Sequence, residues 1–379
     1  MRIGVDVRLF YHRPAGIGWY TLRLLKALAR VDKQNFYVLL QHRKQSQPLI
    51  EGEQFSRATL FTPTHHRFEQ WPLSLETKLL GLDLLHSPDF IPPMHNNIPS
   101  VITIHDLAFL LYPQFVTAKS ARYYGQVEDA VKRANRIIAV SKSTKNDIIK
   151  LLGVPESKID VIHEAAGPFF QPIPRARAQQ ILAAAHVHLP ERFILSVGTI
   201  EPRKNLKTLI HAYHHLRQRY HVTAPLVLAG APGWLAEDVY ALVDKLGLDA
   251  VVHFMGRTPN EQLLALYNLT TVLAHPAHYE GFGLPPLEAM ACGAPVVCSD
   301  AGSLPEVVGD AAILAAPEDD EAWTAALHQV LSDEHLQQRM AARGKARAQT
   351  FSWEKAARKT LDTYRRAVAY DRAYSGIWA

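Results

Sequence analysis

Strand-length apolar runs rich in β-branched residues alternate with helix-period segments from one end of the chain to the other, and this alternation restricts the fold more than any other feature. It is the pattern of parallel βαβ construction. In the first half it predicts strands over 3–7, 36–40, 82–86, 101–104, 137–140 and 159–162, and helices over 20–30, 119–134 and 143–152. Ser141, directly after a strand, is placed as an N-cap. The pattern breaks at Pro168-Phe-Phe-Gln-Pro172-Ile-Pro174, where the prolines continue neither a helix nor a central strand. It then restarts, with strands over 193–197, 226–229, 251–254, 271–274, 296–299 and 312–314 and a last helical pattern over 353–370. Thr258-Pro-Asn-Glu261 reads as a helix start, with Thr258 as N-cap, Pro259 first in the helix and Glu261 three residues after the cap. The expected architecture is α/β: two Rossmann-like domains, 1–168 and 175–350, with mostly parallel sheets facing across a cleft. Ligands of such sheets bind beyond the carboxyl ends of the strands, so function is sought in the loops there.

Composition closes off several other classes. With 379 residues, 48% apolar and 20% charged, the chain is long and apolar enough for two packed cores, and a disordered chain is excluded. Its longest apolar runs are strand-sized, short of the roughly 20 residues that a membrane-crossing helix needs. Asp6 interrupts the start where a secretory signal would be apolar, so a cytoplasmic protein is expected. The net charge of +5 does not indicate a nucleic-acid partner. It is uneven, however: segment 119–150 carries eight basic and three acidic residues, eight minus three giving +5. That segment is either a solvated helical face or a surface for anionic lipid or an anionic acceptor, which allows peripheral contact with the inner face of the membrane. Cys292 and Cys298 read as small core residues, and the scattered His residues show no zinc-binding spacing, so no metal is expected.

Three loops carry candidate chemistry. The first strand is followed by Ala15-Gly16-Ile17-Gly18-Trp19-Tyr20 and a helix. Gly16 and Gly18 would let backbone N–H groups approach an anion at a helix N-terminus, or they form a flexible turn. A nicotinamide-dinucleotide site is disfavoured, because no acidic residue closes the next strand. The first strand of the second half leads into Gly198-Thr-Ile-Glu201-Pro202-Arg203-Lys204, placing Arg203 and Lys204 at the start of a helix. Two cations there oppose the helix dipole, and an anionic ligand such as a pyrophosphate accounts for them better than stability does. The third loop, His275-Pro-Ala-His278-Tyr-Glu280-Gly281-Phe282-Gly283-Leu284-Pro285-Pro286-Leu287-Glu288, puts Glu280 on a loop and Glu288 near the first turn of a helix. Its glycines and prolines leave the N–H groups of Phe282, Gly283 and Leu284 at a helix start.

Glu280 and Glu288, with Gly198 and Arg203-Lys204, resemble the signature of the retaining GT-B glycosyltransferases of family 4. His105-Asp106, the Ser141 helix and Gly302-Ser-Leu-Pro-Glu306 extend the resemblance over nearly the whole chain. It implies that Arg203 and Lys204 grip the diphosphate of a nucleotide-sugar donor, that Glu288 hydrogen-bonds the ribose, and that Glu280 stands beside the transferred sugar. It places the amides of Phe282, Gly283 and Leu284 on sugar and phosphate, Gly16 and Gly18 on the phosphates, His105 near the anomeric carbon, and the base near Met255, Gly256 and Arg257. Trp19 departs from the family, which commonly has a basic residue there. A C-terminal helix, about 352–379, is expected to pack back on the first domain.

The chemistry implied is transfer of a hexose to a hydroxyl of a glycan or lipid-linked acceptor with the anomeric configuration kept. No cofactor or metal is implied, and the sequence has no Asp-x-Asp motif to hold one. GDP-mannose is the first expectation for the donor and UDP-glucose the next. Two rival readings are a sugar-nucleotide-binding regulator without turnover and a GT-B sugar-nucleotide 2-epimerase. The Arg203-Lys204 pair with two glutamates at this spacing counts against both. Closure of the domains on donor binding is a further expectation of the resemblance.

Overall fold

The computed structural model describes residues 1–12, 16–64, 69–115 and 124–375. The chain divides into two compact units, Met1–Glu164 with Ser352–Ala379, and Ala165–Phe351.

The sheet of the first unit contains β1 (Arg2–Asp6), β2 (Phe36–His42), β3 (Phe55–Leu60), β4 (Leu84–Ser87), β5 (Ser100–Ile104), β6 (Arg136–Ala139) and β7 (Ile159–Val161). Their spatial order is β3-β2-β1-β4-β5-β6-β7, and every described pairing is parallel. Central strands are covered on both faces: Ile3, Leu84, Val101, Ile102 and Ile137 are wholly buried, which is why they read as continuous apolar runs. β3 was not expected. It is an edge strand whose sequence, Phe-Ser-Arg-Ala-Thr-Leu, buries only Ala58 and Leu60, so it has no apolar run to announce it.

The helix Trp353–Ser375 packs on the helix Gly16–Val31, with the Trp353 and Tyr20 rings 5.7 Å apart. Its buried residues Ala357, Leu361, Tyr364 and Val368 recur at helical spacing and form one face. Tyr364 reaches the sheet, its hydroxyl 2.7 Å from His86 Nδ1.

In the second unit β8 (Ile194–Val197), β9 (Leu226–Ala229), β10 (Val252–Gly256), β11 (Val272–His275), β12 (Val296–Ser299) and β13 (Ile313–Ala315) lie in the order β10-β9-β8-β11-β12-β13, again with parallel pairings. Trp323, Tyr213, Leu209 and Leu327 fill its core with exposures of 0%. The proline-rich segment belongs to this unit. Phe170 packs edge-on against Tyr267 at 5.6 Å, and Asn268 ties down the backbone on both sides, its Oδ1 accepting from Ile173 N at 2.8 Å and its Nδ2 donating to the Gln171 carbonyl at 3.1 Å.

Several local expectations are corrected. The first helix starts at Gly16, so Gly16 and Gly18 form its first turn and are not a loop before it. Thr258 does not cap: the helix Asn260–Leu269 follows Pro259, while the Thr258 hydroxyl donates to the Gly256 carbonyl at 3.1 Å. Ser141 does cap, accepting from Thr144 N at 3.0 Å. Segment 119–150 is not one free cationic face. Lys119 and Arg122 lie outside the described residues, Arg136 pairs with Asp160 at 2.7 Å, Lys145 pairs with Glu156 at 2.7 Å, and Arg133 donates to the Asn96 carbonyl. Within the expected helix 119–134, the helix described is Val127–Arg133.

Candidate active site

In the second sheet β8 and β11 are neighbours, and the chain proceeds from them to opposite edges. That point is where an open parallel sheet forms a binding crevice, because the loops leaving the two strands diverge. After β8, Gly198 adopts φ +151° and a 3₁₀ turn holds Pro202–Lys204. Asn205 follows with φ 53°, and the helix Leu206–Tyr220 begins only then, so Arg203 and Lys204 stand in the turn before the helix and not inside it. The Asn205 amide donates to the carbonyls of Pro276 at 3.1 Å and Pro317 at 2.6 Å, while His278 N donates to the Arg203 carbonyl at 2.9 Å. These bonds stitch the loop after β8 to the loop after β11 and to the segment after β13.

Glu280 is the centre of the stitched loops. Its Oε2 lies 3.2 Å from Arg203 Nη1, and its Oε1 accepts from Lys204 Nζ and, at 2.9 Å, from His275 Nε2. Arg203 is held further by the Tyr279 carbonyl at 3.0 Å and by Glu201 at 3.0 Å. Burial alone would push the Glu280 carboxyl up, but the charges of Lys204 and Arg203 and the bond from His275 overcome it and hold the group well below the usual carboxylate range. His275 is wholly buried and its pKa is lowered, first by burial. A neutral ring facing a carboxylate must donate from Nε2, which leaves Nδ1 as the acceptor. The pair of cations expected to wait for a ligand is therefore already held by an internal anion.

Glycines let the neighbouring backbone close on this cluster. At Gly302, with φ 58°, a Cβ would come within 2.7 Å of the Glu280 carbonyl oxygen, the same oxygen that accepts from Ser303 N at 3.1 Å and Ser303 Oγ at 2.9 Å. At Gly230, after β9, a Cβ would fall 1.8 Å from the Gly198 carbonyl oxygen. Gly230→Ala is therefore expected to force two backbones apart, costing about 2 kcal/mol. Urea unfolding checks this, and an unchanged midpoint would contradict the packing described.

At the start of the helix Leu284–Cys292, Gly283 has φ 98°, and a Cβ there would lie 2.7 Å from Leu304 Cδ2. Phe282 turns its ring inward, edge-on to Phe351 at 5.8 Å. Glu288 falls in the second turn, next to the first; it is 8% exposed, with the Tyr267 hydroxyl 3.4 Å from Oε2. Met255, Gly256 and Arg257 lie at the end of β10, the edge strand on the β9 side.

The first sheet has its own switch point, between β1 and β4. A cavity of about 10 Å³ lies there, lined by Asp6, Ile17, Gly18, Thr21, Pro88 and Asp89 among others. Arg8, 1% exposed, is neutralised beside it by Asp6 at 2.6 Å and Glu69 at 2.7 Å. His105 follows β5. Its Nδ1 lies 3.1 Å from Glu164 Oε1 and its Nε2 3.0 Å from the Pro88 carbonyl, with the Tyr20 ring edge-on at 4.7 Å. Two accepting partners favour the doubly protonated, charged imidazole, in which both ring nitrogens donate. Burial opposes that charge, but the bond and charge of Glu164, aided by Pro88 and Asp89, raise the His105 pKa above 6.5. Buried His86 is pushed down to about 3, by burial first and by the His105 charge second.

A pKa raised in the folded state stabilises fully below the unfolded value near 6.5, and the contribution is lost as pH rises through the folded value. Glu164→Gln removes the charge that raises it. The His105 ring-proton NMR titration is expected to move to lower pH in that variant; an unmoved titration would dismiss Glu164 as the cause.

Comparison with known proteins identifies the chain. The family described as "Glycosyl transferases group 1" matches residues 179–347, and "Glycosyltransferase Family 4" matches residues 14–165. An Escherichia coli protein described as O-antigen chain mannosyltransferase B is 32% identical over 372 residues, 92% of this chain and 96% of that one. The chain belongs to the group 1 glycosyltransferases. Two solved structures share the GT-B fold. A sucrose-phosphate synthase from Thermosynechococcus elongatus has a TM-score of 0.79 at 21% identity, covering 97% of this chain and 99% of that one. An Anabaena protein in complex with UDP and glucose has a TM-score of 0.73 at 19% identity, covering 96% and 99%.

In this glycosyltransferase Gly198, Arg203, Lys204 and Glu280 meet in one cluster, Phe282 and Gly283 follow on the strand-to-helix connection from it, and Leu284 and Glu288 lie in the helix beyond. Gly16, Gly18 and His105 belong to the first unit. Sequence reasoning assigned no role to His275, Asn205, Gly230 or Glu164. Gly230-Ala-Pro-Gly233 directly after a strand is a turn signal that pointed to the third of these. Nothing local marks Asn205 or Glu164, whose partners lie on distant loops, whereas His275 meets Glu280 only five residues further along the chain.

Proposed function

We propose that this glycosyltransferase moves a hexose from a nucleotide-diphosphate sugar to a hydroxyl of a glycan or lipid-linked acceptor, keeping the anomeric configuration and using no divalent metal. The observation that carries the reading is the clamping of Arg203 and Lys204 by Glu280 at the switch point of the second sheet. Two cations fixed beforehand need no reorganisation when the bond between the sugar and the diphosphate breaks, so they stabilise the charge that develops on the leaving phosphate. They supply what a metal ion supplies elsewhere.

The bond from the anomeric carbon to the phosphate oxygen breaks as the acceptor oxygen forms its bond on the same face. The acceptor proton passes to the departing phosphate oxygen, which needs no enzyme nucleophile. Glu280 is poorly suited to be one: three donors occupy its carboxylate, and a strongly depressed pKa means low basicity. It acts as the fixed counter-charge that orients the two cations beside the sugar.

The name of the E. coli relative supports mannose as the sugar and a polysaccharide as the product, so GDP-mannose is the donor proposed, with UDP-glucose next. A thermal-shift screen of UDP-, GDP- and ADP-sugars reads the base, because a ligand that binds only the folded state raises the unfolding temperature. Proton NMR of the product formed from the donor so selected, with and without EDTA, tests the rest. An α-linked product from an α-linked donor, at the same rate in EDTA, is expected. An inverted product, or transfer abolished by EDTA and restored by Mg²⁺ or Mn²⁺, would overturn it.

A further inference from the structure

In the first unit the helix Gln70–Lys78 buries Leu73, Ser74 and Thr77 but leaves Trp71, Leu75 and its C-cap residue Leu79 exposed by 71%, 64% and 80%. Spaced by four, these three lie one above another on a single helix face. Phe61, 65% exposed, belongs to the same surface: its N–H donates to Glu76 Oε1 at 2.9 Å, which fixes it to this helix, and the Arg43 guanidinium stands 5.8 Å over its ring. Single exposed apolar residues are ordinary, whereas a contiguous group of large ones marks an interaction surface.

The charges around it select the partner. Glu76 is the one acidic residue of the helix, and its two oxygens accept from the backbone N–H groups of Phe61 and Thr62. Among the described residues, the cations Lys78, next to Leu79, and Arg43, over the Phe61 ring, are exposed at this face. Glu51 and Glu53 precede β3, at the far end of that strand from Phe61. A tryptophan at one end of an apolar stripe, flanked by cations, matches the layered chemistry of a bilayer surface, in which acyl chains lie beneath anionic headgroups.

We propose that this face docks the protein on an anionic phospholipid bilayer. Trp71, Leu75, Leu79 and Phe61 enter the boundary between headgroups and acyl chains, and Lys78 and Arg43 lie against phosphate groups. Phe61 sits at the carboxyl end of β3, the edge of the sheet that also carries the Gly16 helix start and His105. A lipid-linked acceptor, on the reading proposed above, is thereby met from the substrate edge of this unit. The docking itself does not depend on that reading.

Co-sedimentation of the full chain with vesicles, in the absence of any substrate, tests it. The protein is expected to sediment with vesicles containing phosphatidylglycerol and much less with phosphatidylcholine alone. The triple variant Trp71→Ser, Leu75→Ser, Leu79→Ser should bind at least about tenfold more weakly, since each lost side chain removes apolar contact. It should keep the wild-type unfolding temperature and turnover on a water-soluble acceptor. The double variant Arg43→Glu, Lys78→Glu, which keeps the apolar face, should lose the preference for anionic lipid. Equal sedimentation of wild-type and triple variant would overturn the proposal. So would failure of the wild-type protein to bind vesicles while light scattering shows a self-association that the triple variant abolishes, because a second copy would then cover the face.

Discussion

Lys204→Ala and Arg203→Ala are each expected to lower kcat about a hundredfold, a loss of roughly 3 kcal/mol in transition-state stabilisation, while donor KM changes little. Charge on the leaving phosphate grows as the glycosidic bond breaks, so an interaction with that charge is worth most at the transition state. Geometry adds a second consequence. Glu280, 8% exposed, relies on these two cations to remain ionised, and losing either leaves a buried carboxylate with fewer donors. Its pKa should rise in both variants, moving the acid limb of the rate profile to higher pH. Steady-state kinetics across pH reads both effects. Full kcat in the two variants would remove them from the mechanism, and an unmoved acid limb would remove Glu280 from their environment.

Glu280→Gln is expected to be as damaging, with kcat down about a hundredfold or more, because the amide cannot neutralise Arg203 and Lys204 or hold them in place. The stability effect has a definite pH signature. The folded-state pKa of Glu280 is depressed well below its ordinary 4.5, so the carboxylate stabilises the fold above about that pH. That contribution is lost as pH falls through the folded value. At pH 7 the variant should be less stable than the wild type by about 2 kcal/mol, less than a fully buried pair would cost because Arg203 and Lys204 keep 22% and 14% of their side-chain exposure. The gap should narrow as pH falls below 4.5. Urea midpoints measured between neutral and acid pH test this, and a gap independent of pH would mean that Glu280 stabilises by packing and not by charge.

The features legible in the sequence were those with local causes. A strand covered on both faces must be apolar at successive positions, and Ile3, Leu84 and Ile137 declare β1, β4 and β6 in that way. β3 shows the limit of the signal, since an edge strand with one face toward solvent buries only alternate residues. A backbone that must turn left-handed leaves glycine in the sequence, so the Gly283 loop was visible beside Glu280, whereas Gly302 is brought to it only by the fold. Two adjacent cations before a helix were likewise visible, as charges that helix stability does not explain.

What those cations meet was not legible. Glu280 lies 76 residues from Lys204, and it reaches that side chain because β8 and β11 are neighbours in the sheet although two strands separate them in sequence. The same holds for Glu164, which raises the His105 pKa from 59 residues away, and for Tyr364, which closes on His86 from a helix 278 residues later. Periodicity, capping and turn chemistry act over a few residues, so they specify elements and their faces. Which buried acid meets which buried base depends on strand order, and strand order follows from how whole apolar faces pack together. The lowered pKa of Glu280 and the raised pKa of His105 follow from that packing.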